Sequence, residues 1–174
     1  MRAIFLLFFL LPSVVFSQKV KPLEIEIGPS VGWGIKDKNG RDDIGQAYGF
    51  IAELRYNMPG SIDMGVQFRM DTYKHTGHYL DCPGKVNQIL IQAVGDYNFY
   101  PGKQVNPFAG AGVGAAIIDE DPSRKLNSFC FSPRTGVELF RHLRLTLNYC
   151  FLRQGHSYWN FSAGIVLGGG IRKK

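Results

Sequence analysis

Two histidines and a cysteine stand close enough in the sequence to suggest a metal site: His75, His78 and Cys82. Imidazole nitrogen and thiolate sulfur are ligands that Zn²⁺ prefers, but a structural zinc site needs about four of them in tetrahedral geometry. This stretch supplies only three such ligands, so we interpret it as a polar loop. The acidic run Asp119-Glu120-Asp121 lacks the spacing of a calcium-binding loop and is also interpreted as a solvated loop. The sequence therefore predicts no metal ligand.

A second candidate is nucleophilic chemistry at the adjacent residues His156 and Ser157. A catalytic serine needs a base within hydrogen-bond reach and an acid that orients this base. Neighbouring residues of a strand point to opposite faces, and we assign no acidic partner nearby. We therefore predict no catalytic residue, no cofactor and no enzymatic activity.

Cysteine chemistry is limited, because three cysteines are too few for a disulfide framework. Cys130 and Cys150 face the same side of neighbouring predicted strands, but their diagonal offset is long for a disulfide. A bond from Cys82 to Cys130 is conceivable. Two free buried thiols fit the sequence equally well.

Length and charge restrict the remaining function classes. The chain has 174 residues, which suits one domain, and its formal net charge is +6. The basic residues are scattered apart from the tail Arg172-Lys173-Lys174, and no basic helix or aromatic-basic motif appears. Nucleic-acid binding therefore has little support.

Residues 1–17 are predicted to be a secretory signal peptide. Arg2 gives a positive start, an apolar run follows, and Ser17 supplies a small residue before the cut. The apolar run is short for a spanning helix and Pro12 interrupts it, which disfavours a membrane anchor. The mature chain, residues 18–174, is then expected to form a single domain.

The mature chain alternates between apolar and polar residues with a period of two, and it does so in eight segments. In one of them Ile62 and Met64 alternate with Asp63 and Gly65. This period predicts β-strands, and the short gaps forbid the crossovers that parallel strands need. We predict an all-β, eight-stranded antiparallel up-and-down barrel, which leaves no bare edge. Its strands are expected at about 23–35, 47–57, 61–73, 86–99, 105–117, 128–140, 143–151 and 158–168.

The fifth segment places glycine at 110, 112 and 114, all on its polar face. Glycine weakens strands, so this repetition needs a reason. An eight-stranded barrel has room inside only for its own side chains. Small residues therefore belong inside, which predicts a transmembrane barrel whose apolar face meets lipid. A soluble lipocalin-like ligand binder, with the two faces reversed, is the alternative.

Charged residues of the polar face are expected to pair with each other. A turn at 58–60 would set Arg55 opposite Asp63, and a turn at 140–142 would set Glu138 opposite Arg144. Buried charge is tolerated only when it is paired, so we expect a structural ionic network inside the barrel. Its predicted members are Glu53, Arg55, Asp63, Arg69, Arg134, Glu138 and Arg144.

The expected connections differ between the two ends of the barrel. Those at 58–60, 100–104 and 140–142 are short, and those near 37–46, 74–85, 119–127 and 152–157 are mostly longer and richer in charge. Aromatic residues such as Tyr97 and Trp159 lie on the apolar face near strand ends. Membrane barrels combine short periplasmic turns, longer outer loops and aromatic girdles at both interfaces. Both chain ends are then predicted to be periplasmic.

Three stretches add to this pattern: Val105–Gly112, Pro133–Leu139 and Gly164–Gly170. With the eight segments, they resemble the small outer-membrane barrels of Gram-negative bacteria, of the OmpA and OmpX types, and the porin-family outer membrane protein β-barrel domain. The resemblance covers the mature chain and implies lipid as a partner and location in the outer membrane. The chain departs from many such barrels, which end in an aromatic residue, because it ends Ile171-Arg172-Lys173-Lys174.

The resemblance leaves three function classes. The preferred one is a structural or surface-interaction role, with a plugged polar interior and loops that contact envelope proteins or extracellular ligands. The second is a narrow channel or a subunit of a larger envelope or secretion complex. The third is a lipid A-modifying enzyme that depends on His156 or Ser157.

Overall fold

Eight antiparallel strands form a closed barrel in the computed structural model, which describes residues 22–36, 42–75, 85–121, 124–153 and 157–168. Each strand pairs with the next, and the last also pairs with the first. The predicted fold class is therefore confirmed. Within the described ranges, no helix is long and apolar enough to cross a membrane. The strands are β1 (Leu23–Lys36), β2 (Asp42–Asn57), β3 (Ile62–His75), β4 (Lys85–Asn98), β5 (Val105–Asp121), β6 (Arg124–Leu139), β7 (Leu143–Leu152) and β8 (Ser157–Leu167).

The polar face of every strand points into the barrel and the apolar face points out. On β2, Leu54 is 52% exposed, whereas its neighbours Glu53 and Arg55 are 3% and 1% exposed. Exposed large apolar side chains occur on all eight strands, from Leu23 on β1 to Leu167 on β8. The faces are therefore those of a membrane barrel, and the alternative with an apolar lumen and a polar surface is wrong.

The three connections predicted to be short lie at one end of the barrel, but 99–104 is longer than three of the four connections at the other end. Residues 58–61, 99–104 and 140–142 join the strands there. The tightest of these turns places Phe140 and Arg141 in the left-handed region, at φ 53° and 64°. We call this end the short-turn end and the opposite end the loop end.

The prediction of a long connection at 119–127 is wrong. β5 continues to Asp121 and β6 begins at Arg124, so only residues 122–123 separate them. The ladder persists because Ile118 pairs with Leu126, and both side chains lie against apolar residues inside the barrel. Asp119 also pairs with Lys125 across the two strands. Strict alternation between short and long connections therefore does not hold.

The glycines of β5 leave space that side chains of β4 occupy. A Cβ atom added at Gly110 would collide with the side chain of Asp96 and the carbonyl oxygen of Gly95. At Gly112, the added atom would lie 2.7 Å from Oε1 of Gln92. These close approaches explain why the fifth strand gives up its inward side chains.

We expect Gly110→Val to lower the stability of the refolded barrel by about 1–3 kcal/mol, the range for overpacking a tight interior. The matched control is Ala109→Val, one residue earlier on the exposed face, which should change stability by less than about 0.5 kcal/mol. Urea unfolding of the detergent-refolded protein, followed by tryptophan fluorescence, measures both. Equal effects of the two substitutions would contradict the assignment of the faces.

Candidate functional site

The structure brings all seven residues of the predicted ionic network into the barrel interior, where each is at most 9% exposed. Arg134 of β6 lies at the centre of their contacts. Its two terminal nitrogens bind the carboxylate of Glu53 on β2 at 2.7 and 2.8 Å. Its Nε donates to Asp96 of β4 at 2.7 Å, and one terminal nitrogen also contacts Asp96. Arg134 therefore joins three strands through the middle of the barrel.

Arg144 of β7 extends these contacts toward the short-turn end. It contacts Asp96, and it forms longer ion pairs with Glu26 at 3.6 Å and Glu138 at 3.6 Å. Its guanidinium carbon lies 3.5 Å from the ring centroid of Phe108, which is a cation–π arrangement. This one cation is thus in contact with residues of β1, β4, β5 and β6.

Arg55 of β2 lies beside three carboxylates. It forms ion pairs with Glu24 at 3.4 Å, Glu26 at 3.5 Å and Glu53 at 3.7 Å. The predicted pairing of Arg55 with Asp63 is wrong, because Arg55 stands opposite Gly65 and Asp63 stands opposite Asn57. Asp63 instead accepts a hydrogen bond from the side chain of Asn98.

Arg69 of β3 forms a second cluster, nearer the loop end. It pairs with Asp71 at 3.0 Å, and its terminal nitrogens lie 3.0 Å from Oδ1 of Asn148 and 2.6 Å from Sγ of Cys150. The hydroxyl of Tyr158 donates to Asp71 at 2.6 Å and accepts from Arg69 at 3.0 Å. β3, β7 and β8 are therefore linked across the lumen.

Four further carboxylates in the interior were not included in the predicted network. Glu24 and Glu26 of β1, Asp71 of β3 and Asp96 of β4 are all at most 3% exposed. The sequence carried a signal for them, because the period of two puts all four on the same polar faces. Among the described buried residues, seven carboxylates therefore accompany the four guanidinium groups of Arg55, Arg69, Arg134 and Arg144.

The loop end of the interior is apolar, which corrects the prediction of a polar interior throughout. Buried residues from seven strands, β2 to β8, pack together there, and the ring of one of them, Tyr158, contacts the guanidinium group of Arg69. Inward positions such as Leu90, Ile118 and Leu152 supply the contacts. We call this group the apolar cluster, and its members are Ala47, Tyr73, Val86, Leu90, Ala116, Ile118, Cys130, Cys150, Leu152 and Tyr158.

The short-turn end carries a polar depression. Glu24, Asp63 and Glu138 line it together with side chains of the three turns. Asn106 donates to Asn98 at 3.0 Å and accepts from the backbone of Tyr100 at 2.9 Å, so the amide groups hold the rim together. The lumen is therefore bordered by polar groups at the short-turn end and covered by apolar side chains at the loop end.

Among the described residues, the others singled out in the sequence form no reactive centre. Cys130 and Cys150 are free, buried thiols, with Oγ of Ser132 lying 3.4 Å from one sulfur and 3.9 Å from the other. Oγ of Ser157 accepts a hydrogen bond from the backbone of Leu152 at 3.0 Å, which closes the β7–β8 hairpin. In the described part of the chain, no three His, Cys, Asp or Glu side chains could hold a metal ion together. His78, Cys82, His156 and the signal peptide lie outside the described residues.

We expect Arg134→Gln to destabilise the refolded barrel by about 3–5 kcal/mol, because it leaves Glu53 and Asp96 as buried charges that lack their main partner. The matched control is Lys125→Gln, which removes an exposed ion pair with Asp119 and should cost about 0–1 kcal/mol. The free energy of unfolding in urea measures both. A small effect of Arg134→Gln would show that the interior charges contribute little to the fold.

Comparison with known proteins rests on structure alone, because no protein-family model and no curated protein sequence matches the chain. Outer membrane protein OprG of Pseudomonas aeruginosa superposes with a TM-score of 0.62 at 12% identity, over 83% of this chain and 93% of that one. Neisserial surface protein A gives 0.55 at 17% identity, over 87% and 99%. The attachment invasion locus protein Ail of Yersinia pestis, in complex with the heparin analogue sucrose octasulfate, gives 0.53 at 17% identity, over 83% and 97%. The chain therefore has the fold of the small eight-stranded outer-membrane β-barrels.

Proposed function

We propose that this protein is an integral barrel of the bacterial outer membrane, with a closed interior and a structural or surface-interaction role through its loops. One observation carries the proposal: apolar side chains cover the outside of a closed barrel whose buried charges lie inside. In water such a surface would associate, because contiguous exposed apolar patches of this kind mark contact with lipid or protein. In a bilayer it is the surface that the hydrocarbon requires.

The height of the apolar surface fits a bilayer. On β1, apolar residues are exposed from Leu23 to Trp33. Ten residue steps of about 3.3 Å, on a strand tilted by about 40°, span ~25 Å, which matches the apolar band of membrane barrels. The strands are therefore long enough to cross an outer membrane.

Aromatic side chains lie at both edges of this surface. Tyr97 and Phe99 are in contact near the short-turn end, with ring centroids 5.3 Å apart. Near the loop end, Tyr149 contacts both Phe151 at 4.5 Å and Trp159 at 5.0 Å. Two aromatic groups separated by an aliphatic band correspond to the two interfaces of a membrane.

The filled interior favours a barrel without a pore over a channel. Ion pairs among Arg55, Arg134, Arg144 and their carboxylates fill the middle of the lumen, and the apolar cluster covers it toward the loop end. A narrow channel or a subunit of a larger complex is therefore the second candidate. A lipid A-modifying enzyme, which would need His156 and Ser157, has less support because the Ser157 hydroxyl is hydrogen-bonded to the β7–β8 hairpin.

A partner would then meet the protein at the loop end. The complex of Ail with a heparin analogue is a property of that protein, but it supports a ligand-binding role for a barrel of this fold. The connection predicted at 37–46 comprises only 37–41, because β2 begins at Asp42, and these five residues carry both signs of charge. The connection between β3 and β4, residues 76–84, contains His78 and Asp81. We therefore propose that these connections are extracellular loops and that both chain ends lie in the periplasm.

The proposed orientation predicts that a membrane-impermeant maleimide labels Cys82 on intact cells, because residue 82 lies in the second predicted outer loop. Cys130 and Cys150 are buried and should not react. Cys82→Ser should abolish labelling. Mass spectrometry of the purified protein, after mild reduction of the cells, identifies the labelled cysteine.

The matched control is Pro59→Cys in the Cys82→Ser background. Pro59 is exposed in a short turn, so the new thiol should react only after the outer membrane is permeabilised. If residue 59 of this variant is labelled on intact cells, and Cys82 of the wild-type protein is not, the proposed orientation is reversed. Labelling of neither site in cells, with the protein found in the soluble fraction, would contradict location in the membrane.

A closed interior predicts that the refolded wild-type protein produces no stepwise conductance in planar lipid bilayers at 1 M salt. A large porin in the same bilayers serves as the positive control. Reproducible steps from the purified wild-type protein would favour the channel over the structural role.

A further inference from the structure

The polar depression at the short-turn end carries more negative than positive charge. Glu24, Asp63 and Glu138 line it, and each of them is at most 9% exposed. Oε2 of Glu24 lies 3.4 Å from Nη2 of Arg55, and Oε2 of Glu138 lies 3.6 Å from Nη1 of Arg144. Asp63 accepts a hydrogen bond from a neutral amide and forms no ion pair with a cation of the described ranges. The three carboxylates are therefore only partly compensated by the arginines of the lumen.

The charges of the whole interior are unbalanced toward the same end. Arg69 and Asp71 pair with each other near the loop end. The other charged side chains among the described buried residues are six carboxylates and the three guanidinium groups of Arg55, Arg134 and Arg144. A buried charge is stabilised by an opposite charge in contact with it. Additional positive charge at the mouth of the lumen would therefore stabilise the barrel.

The chain leaves β8 beside this depression. A Cβ atom added at Gly168, directly after β8, would lie 2.6 Å from the carbonyl oxygen of Leu23 and 3.5 Å from Cα of Glu24. Gly168 has a φ of 98°, in the left-handed region that glycine adopts without strain, so the backbone departs there from the extended path of the strand. The residues that follow β8 therefore start next to one of the three carboxylates.

The residues after Gly168 have the opposite sign of charge. Residues 169–174 lie outside the described ranges, and their sequence is Gly-Gly-Ile-Arg-Lys-Lys. Four steps of at most about 3.6 Å place Arg172 up to ~14 Å from Gly168, before its own side chain is extended. This reach is sufficient at the mouth of an eight-stranded barrel, whose lumen has room only for side chains.

The size and the acceptors of the depression select a cationic head group. Its cavity volume of about 30 Å³ is roughly two to three times what one water molecule needs, so it suits a single ammonium or guanidinium group. Both groups offer only donors, which carboxylates accept. Arg141, a cation at the rim, donates instead to the carbonyl oxygen of Gly102 at 2.9 Å. Lys19 and Lys21 share the outward parity of Leu23 in the period of two, which favours the tail over them.

We propose that the polar depression at the short-turn end is a binding site for the C-terminal tail of the same chain, Arg172-Lys173-Lys174, whose cationic groups pair with Glu24, Asp63 and Glu138. The tail closes the lumen at the end opposite the apolar cluster and supplies positive charge that the ionic network lacks. The site depends on the barrel and its depression and not on the partner that the loops bind.

Cross-linking of the refolded wild-type protein with a water-soluble carbodiimide tests the proposal without any substitution. The carbodiimide activates a carboxylate, and a neighbouring lysine amine then forms an amide with it and releases the reagent as a urea. Mass spectrometry of the digested monomer should find Lys173 or Lys174 joined to Glu24, Asp63 or Glu138.

The exposed pair of Lys125 and Asp119, with Nζ 4.0 Å from Oδ2, is the internal control, because it should cross-link in the same sample. If only this pair reacts, the tail does not occupy the depression and the proposal is wrong. Links from Lys19 or Lys21 to the depression, without links from the tail, would assign the site to the N-terminal segment instead. Tail links found only between chains, in a mixture of isotope-labelled and unlabelled protein, would assign it to a second copy.

Substitution of the tail gives a second readout. Arg172→Gln, Lys173→Gln and Lys174→Gln together should lower the folding equilibrium constant of the refolded barrel, measured in urea, by about fivefold. In an Asp63→Asn background the same three changes should have a smaller effect, because one of the paired carboxylates is absent. Lys103→Gln, at an exposed lysine of the same end, is the control and should change the constant by less than about twofold. A tail effect of equal size in both backgrounds, or none in either, would contradict the proposal.

Discussion

The constraint on which the structure depends is that charge buried in a narrow lumen must be paired across it. Arg134 satisfies this constraint by binding Glu53 from β2 and Asp96 from β4 at once. Such contacts join strands that are far apart in the barrel wall, so they restrict the register of several strands together. A membrane barrel cannot solvate these groups from outside, because lipid covers the wall. The interior must therefore supply nearly all of its own partners.

Space is the second part of the same constraint. Long arginine side chains fit into an eight-stranded lumen only where other strands contribute little volume, and the glycines of β5 and Gly164 of β8 do so. Toward the loop end, the lumen is filled by apolar side chains around Tyr158 and not by arginines. The Tyr158 ring belongs to this cluster, while its hydroxyl belongs to the Arg69 cluster. The ionic network in the middle of the lumen and the apolar cluster at its loop end together fill the barrel. A filled barrel agrees better with a structural or surface role than with transport.

The sequence predicted the number of strands and their faces because both follow from a period of two, which hardly depends on tertiary contacts. It failed on the partner of Arg55, because Asn57 pairs with Asp63, so that five residues, 58–62, and not three separate the first paired positions. The resulting register shift of two residues keeps every side chain on its face but changes each cross-strand neighbour.

The ends of β5 and β6 were also missed, since their ladder continues on contacts of Ile118 and Leu126 that only the closed barrel creates. Arg69 was predicted as a network member, but its contacts with Cys150 and Tyr158 span 81 and 89 residues. Neither turn geometry nor local pattern carries such information.

The most direct test of a closed barrel with an apolar outer face uses residues 18–174, without the predicted signal peptide. The chain would be refolded in detergent and run on a denaturing gel with and without boiling, and its solubility in buffer without detergent would be measured alongside. Our account predicts a change in mobility on heating, because the closed barrel resists the detergent until it is boiled, and it predicts precipitation without detergent. A chain that dissolves freely in plain buffer and migrates identically before and after boiling would contradict it.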